Sequence, residues 1–254
     1  MKVIPMIFNT DMVKGLVAGD MVVTRRPLII HEGWELKDRK LTKITSSHPK
    51  KGKWGALIRQ ETFDDKYQHD IITAPCFVDD LIYVRETFRL FNHSDECGCS
   101  DYCSCPPSGT PVYFATCGDD SESKWKSSRH MPRSASRLTL KVTDVRIERV
   151  QDITEDQAEK EGVISNEKYG DLAGEENLFN CPKCEGFQVH GYIGYGGGVA
   201  EGDCETCNTA VKRFGLLWDS IYQNWNQNPY VWVIEFEVIH QNVDKYLESV
   251  KEAA

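Results

Sequence analysis

Ten cysteines stand out in a chain of 254 residues, and eight of them fall into two tight groups. Cys181-Pro-Lys-Cys184 and Cys204-Glu-Thr-Cys207 are CxxC hooks separated by nineteen residues. Each hook sets two thiolates about one tetrahedral edge apart, and the intervening loop brings the hooks together around one Zn²⁺. That loop carries Gly191, Gly194, Gly196, Gly197, Gly198 and Gly202, so it builds no apolar core of its own and needs a metal to hold it. Four thiolates close the coordination sphere, which makes the expected site structural; the competing use of such hooks is redox chemistry. The second group, Cys97-Gly-Cys99-Ser-Asp-Tyr-Cys103-Ser-Cys105, holds two CxC pairs that could complete a second four-sulfur zinc site, with His93 able to replace one ligand. An iron–sulfur cluster or a redox role is the alternative there. Cys76 and Cys117 have no partners in the sequence and are expected to be small buried hydrophobes.

Composition bounds what surrounds these groups. The formal net charge is −9, which argues against coating duplex DNA by bulk charge but leaves room for a local basic groove. The charge is also uneven. Lys37 to Lys53 carries seven Lys/Arg against one Asp, whereas Asp152 to Glu176 carries nine Asp/Glu against two Lys. The basic run contains Ser46, Ser47, Pro49, Gly52 and Gly55 and reads as a long exposed insertion. No stretch approaches the roughly 20 apolar residues of a membrane helix. The start Met1-Lys2-Val3-Ile4-Pro5 lacks a secretory apolar segment, so the expectation is a cytoplasmic protein with no membrane partner.

The elements that must position this chemistry are short. Met12, Val13, Leu16 and Val17 recur at helical spacing ahead of Gly19, and Met21–Arg26 reads as a strand closed by Pro27. Leu81–Thr87 and Val112–Ala115 are further strands. In Leu138–Val150 the apolar residues Leu138, Leu140 and Val142 give way to Val145 and Ile147 in the opposite parity, which predicts a bulge near Thr143-Asp144. Thr154–Glu161 is a short helix with Thr154 as N-cap and Gln157 in the capping-box position. Phe214–Trp225 is a helix expected to bury Leu217, Ile221 and Trp225, and Tyr230–Ile239 alternates as a strand, leaving Glu235 and Glu237 solvated. The sum is an α+β chain: a small β-barrel with flanking helices, interrupted by insertions at residues 28–78, 89–110 and 165–212.

Gly19-Asp20-Met21-Val22-Val23-Thr24-Arg25-Arg26 resembles the Gly-x-Lys-x-x-Glu-x-Arg signature of ASCH domains, which belong to the PUA-like superfamily. Gly19 and Arg26 match; Met21 stands at the Lys position and Thr24 at the Glu position. Pro5–Phe8, Asp80–Thr87, His130-Met131-Pro132-Arg133-Ser134-Ala135-Ser136-Arg137, Ala158–Gly162, Trp218–Ser220 and Val233–Phe236 are similar to the bacteriophage and prophage members of that family, in order and spacing. The resemblance implies one PUA-like domain over residues 1–254, with a basic insertion, a Cys-rich insertion and a zinc-ribbon-like insertion. It also implies a barrel cleft of the kind that binds RNA or processes nucleosides. One bacterial branch removes the acetyl group from acetylated cytidine with a Thr nucleophile, a Lys base and an assisting Glu. By that match Thr24 and Glu161 are the catalytic candidates. Met21 cannot accept a proton, however, and a threonine needs a base beside it. Lys14 and Arg25 do not occupy the matching position.

For ligand binding, Arg26, Arg85, Arg133 and Arg137 could grip phosphate through forked hydrogen bonds. Ser128, His130 and Ser136 could bond a base or sugar, and Glu86 could accept from an exocyclic amine. Trp125 or Tyr83 offers a stacking surface. The leading expectation is a phage-type protein that binds RNA or a modified nucleobase or nucleotide, with Lys37–Lys53 touching phosphates. The alternatives are a hydrolase of a modified nucleoside or a ribonuclease using Thr24 and Glu161, and a module that docks a host protein.

Overall fold

The computed structural model describes residues 1–45, 48–62, 66–97, 104–118, 124–165, 181–184, 189–193 and 199–252. In chain order the first elements are β1 (Val3–Ile7), α1 (Thr10–Ala18), β2 (Val23–Pro27), β3 (Glu35–Leu36), β4 (Thr42–Lys43), β5 (Trp54–Glu61) and β6 (Tyr67–Thr73). There follow β7 (Leu81–Arg85), β8 (Phe88–Leu90), α2 (His93–Glu96), β9 (Pro111–Tyr113), α3 (Phe114–Cys117), β10 (Thr139–Arg149) and α4 (Glu155–Lys160). The chain continues with β11 (Val189–Ile193), β12 (Val199–Asp203), α5 (Ala210–Tyr222), β13 (Tyr230–Ile239) and α6 (Val243–Glu252). These form two compact units, one of residues 1–19, 79–142 and 237–254, the other of residues 20–78 and 143–236; β10 and β13 run from one unit into the other.

In the first unit β1 pairs parallel to β7, with Val3 opposite Leu81 and Ile7 opposite Arg85. The start of β10 lies antiparallel on the other side of β7, Leu140 opposite Ile82. Leu81, Ile82, Val84, Leu138, Leu140 and Val142 are all buried, as expected for strands covered on both faces. Asn9 caps α1 by accepting from the Met12 N–H (2.8 Å), and Gly19 ends it in the left-handed conformation that its lack of a Cβ permits. β8 and β9 pair as a hairpin. The strand expected over Val112–Ala115 stops at Tyr113, and the chain turns helical from Phe114. Cys117, expected to be buried, is exposed.

In the second unit β13 pairs antiparallel with β2, Ile234 opposite Thr24. Val231, Trp232, Val233 and Ile234 are buried in succession, so this stretch is covered on both faces. The change of parity at Thr143-Asp144 is present: Val142 is buried, Thr143 exposed, then Val145 and Ile147 buried. The capping box of α4 forms as the sequence expects, Gln157 N–H to Thr154 Oγ1 and Thr154 N–H to Gln157 Oε1. α5 packs on α4 through a core that joins Phe214, Leu217 and Trp218 to Val150, Ile153, Ala158 and Val231. Its buried face therefore differs from the expected one: Ile221 is 46% exposed and Trp225 lies in a short turn past the helix.

Two insertions hold more regular structure than their composition suggests. Residues 28–78 contain a sheet in which β5 is central, flanked by β6 on one edge and by β3 and β4 on the other. Between the CxxC hooks, β11 and β12 form an antiparallel ladder. The architecture is α+β, with several sheets and few helices; among the described residues no sheet closes into the expected barrel. Among those residues, too, no helix is long and apolar enough to cross a membrane. The face correction in α5 gives a direct test. In chemical unfolding Phe214→Ala costs about 3–5 kcal/mol, whereas Ile221→Ala stays within about 0.5 kcal/mol.

Candidate functional site

The four thiols of the CxxC hooks converge. Cys181, Cys184, Cys204 and Cys207 are buried, and their sulfurs all lie within 4.8 Å of one another. Cys181 and Cys204 are 3.7 Å apart and Cys184 and Cys207 3.6 Å. A tetrahedral ion with metal–sulfur bonds of about 2.3 Å requires sulfur–sulfur edges of about 3.8 Å, so the donor set fits a metal such as zinc. Burial pushes the Cys181 thiol up. Burial acts the same way on Cys204, but the Thr206 N–H and the neighbouring thiols outweigh it and bring that group down to about 7. The cluster is anchored from α5: Arg213, itself buried, donates to the Cys207 carbonyl (2.8 Å) and through two nitrogens to the Ile164 carbonyl (2.7 and 3.0 Å). Leu216 packs against the sulfurs. Of the second cysteine group, Cys97 and Cys105 are half-buried, while Cys99 and Cys103 lie outside the described residues.

The catalytic candidates sit in the second unit. Thr24 is fully buried and, among the described residues, its hydroxyl has no hydrogen-bond partner, so it makes no bond to Glu161; Met21 is fully buried as well. Glu161, just past the end of α4, accepts from the Arg25 guanidinium (2.8 Å) and from the Arg25 backbone N–H (3.2 Å). Alternate residues of a strand point to opposite faces, so the Thr24 side chain leaves the backbone on the side away from that of Arg25. The other guanidinium nitrogen of Arg25 reaches Glu148 (3.0 Å) and Gln157 (2.9 Å). One cation is thus shared by two carboxylates. Burial pushes Glu161 up to about 7 against the pull of Arg25. Beside this network, a cavity of about 260 Å³ has Val22, Val23 and Phe236 as its apolar wall and Arg146, Gln157 and Lys160 among its polar ones. Arg146 is held by Asp144, Glu148 and Glu235, so Glu235, expected to be merely solvated, is an ion-pair partner. Arg26, from the same strand as Thr24, is half-buried.

The remaining ligand candidates belong to the first unit, and several turn out to hold the backbone. Arg85 donates to the carbonyls of Met131 (3.0 Å) and Arg129. The buried Ser136 hydroxyl faces the carbonyls of Val84 and Leu138, at 2.9 and 3.1 Å. Glu86 is buried and gripped on both oxygens by Arg137 (2.9 Å each), whose guanidinium also lies 4.1 Å from the Tyr113 ring centre. Burial raises Glu86 above the usual carboxylate range despite that fork. Arg133 pairs with Asp244. Asn242, which no sequence motif marks, donates to the carbonyls of Arg133 (2.9 Å) and Ser136 (2.8 Å). An Asn three residues past a strand carries no distinctive signal for this role. Ser128 is half-buried, His130 is exposed, and the Trp125 ring meets Phe114 edge-on with the Arg89 guanidinium over it.

Comparison with protein-family models, with curated protein sequences and with solved structures returned no match.

The thiol cluster and the Arg25 network can each be tested by stability. Stripping metal with a strong chelator, or replacing Cys204 by Ser, lowers the melting temperature by several degrees and exposes the hooks to thiol-reactive probes. A raised Glu161 stabilises the fold below its unfolded value of about 4.5, and that contribution is lost as pH rises through about 7. The stability advantage of wild type over Glu161→Gln therefore shrinks by on the order of 3 kcal/mol between pH 4.5 and 8, measured by denaturant unfolding at each pH.

Proposed function

We propose that this chain is an ASCH-type protein on a PUA-like scaffold, of the phage or prophage kind, that binds RNA or a modified nucleobase or nucleotide in the cytoplasm. The observation that carries this reading is the segment Lys124–Arg137. It holds Lys124, Lys126, Arg129, Arg133 and Arg137 with no Asp or Glu. Arg133 and Arg137 are taken by Asp244 and Glu86. Lys124, Lys126, Arg129 and His130 remain exposed and, among the described residues, form no ion pair. Arg85 and Asn242 pin the backbone of this segment through its carbonyls, so the cations are presented from a fixed loop. Ordered cations without internal counter-ions suit a phosphate backbone, whose binding is salt-dependent. The four-cysteine cluster takes a structural zinc in this reading, about one ion per chain by elemental analysis.

A second reading, hydrolysis of a modified nucleoside, is favoured by Glu161, a buried carboxyl near neutrality being suited to proton transfer. The sealed, unpartnered Thr24 hydroxyl weighs against it. Turnover of acetylated cytidine that disappears in Thr24→Ala would establish catalysis. For the binding reading, labelled RNA, single-stranded DNA and duplex are titrated at several salt concentrations. The Lys126→Gln, Arg129→Gln pair weakens binding roughly tenfold near 0.1 M salt and flattens the salt dependence. Unchanged affinity in that variant would overturn the assignment of the segment.

A further inference from the structure

The sheet of residues 28–78 has two chemically unlike faces. Cross-strand partners share a face. Ala56 opposite Ile72, and Ile58 opposite Leu36, lie on one of them, where Ala56 and Ile58 are buried. The other face carries Leu57 opposite Ile71, Arg59 between Glu35 and His69, and Tyr67 opposite Glu61. Tyr67 is 46% exposed and His69 is exposed. The two rings are neighbours, 6.5 Å between centres, and the Arg59 guanidinium lies 4.7 Å from the Tyr67 ring centre while its Nε bonds Glu35. The Tyr67 ring is therefore braced on the sheet and still open to solvent.

Charge frames this face. The Lys37 N–H donates to the Leu57 carbonyl (2.9 Å), which continues the β3 register and brings Lys37 onto the same side as Glu35 and Arg59. Lys40 and Lys53 flank β4 on the edge opposite β6; Lys43, opposite Trp54, lies on the Ala56 face, and Lys51 shares a turn with Lys50, which bonds Asp70 and the Ile71 carbonyl of β6. All five lysines are exposed, and among the described residues none has an ion-pair partner. Among the described residues the face's own acids are Glu35, already engaged by Arg59, and Glu61 at the end of β5.

We infer that this face binds single-stranded nucleic acid, with bases stacked on Tyr67 and His69 and phosphates running along Lys37, Lys40 and Lys53. The inference rests on the nucleic-acid reading above and narrows it. Duplex base faces are already covered by their neighbours, so solvent-open rings on a sheet serve unpaired bases, whereas lysines alone would serve either form. Stacking tolerates any base, so binding here is weakly sequence-dependent.

The test uses the full-length protein and fluorescein-labelled U12, dT12 and a 12-base-pair duplex in anisotropy titrations. Tyr67→Leu keeps apolar area but removes the π-face and weakens U12 binding at least about fivefold, His69→Leu does so to a similar extent, and Tyr67→Phe retains it. Lys37→Gln with Lys40→Gln lowers the slope of log K against log salt by about 0.7 for each phosphate no longer neutralised. Circular dichroism melts confirm that these surface variants fold. Wild-type affinity for U12 in Tyr67→Leu and His69→Leu, with loss in the Lys126→Gln, Arg129→Gln pair, overturns the inference and leaves the broader reading standing. Duplex binding without single-strand binding does the same. Absence of binding to all three probes removes the broader reading, and the inference with it.

Discussion

A guanidinium whose side chain has no solvent exposure at all sits in β2, and much of the second unit is arranged to satisfy it. Burying an unpaired charge costs several kcal/mol, so Arg25 dictates what its neighbours must be. Glu148 comes from β10, Gln157 from the first turn of α4, and Glu161 from just past the end of that helix. Gln157 also closes the capping box through its carbonyl oxygen, so the same atom that caps the start of α4 also receives the arginine. The guanidinium then lies over Phe214, the aromatic anchor of α5. Helix start, helix end, strand and core are thus coupled through a single side chain.

A related device recurs wherever the backbone is irregular. Buried carbonyls need donors, and this chain supplies them from side chains rather than from ladders: Arg213 to Ile164 and Cys207, Arg85 to Arg129 and Met131, Asn242 to Arg133 and Ser136, Arg149 to Asn228. Arginines that look like ligand grips in the sequence are in several cases scaffolding. Those without an ion pair among the described residues include exposed ones such as Arg129.

This explains which parts of the molecule could be read in advance. Local rules carried far: the α4 capping box, Gly19 at the end of α1, the parity change in β10 and the convergence of the CxxC sulfurs are all set by residues close in sequence. The sheet of residues 28–78 escaped because its lysines, glycine and serines mask the alternation of Ala56 and Ile58, and because its strands β3 and β4 are only two residues each. Helix α6 does carry a local signal, with Val243, Tyr246, Leu247 and Val250 at i, i+3, i+4 and i+7, although of its ten residues only Val243 is buried. The roles of Arg85, Ser136 and Glu86 depend on partners 44 to 52 residues away, and no local pattern distinguishes a serine that meets a carbonyl from one that meets a ligand.

The parity change in β10 concerns the gene as well as the strand. Val142 and Val145 are both buried although three positions apart, so the chain contains one residue more than strict alternation between them allows. Loss of one codon at Thr143 or Asp144 would leave Val142 and Val145 two positions apart, restoring strict alternation and removing the irregularity from the strand.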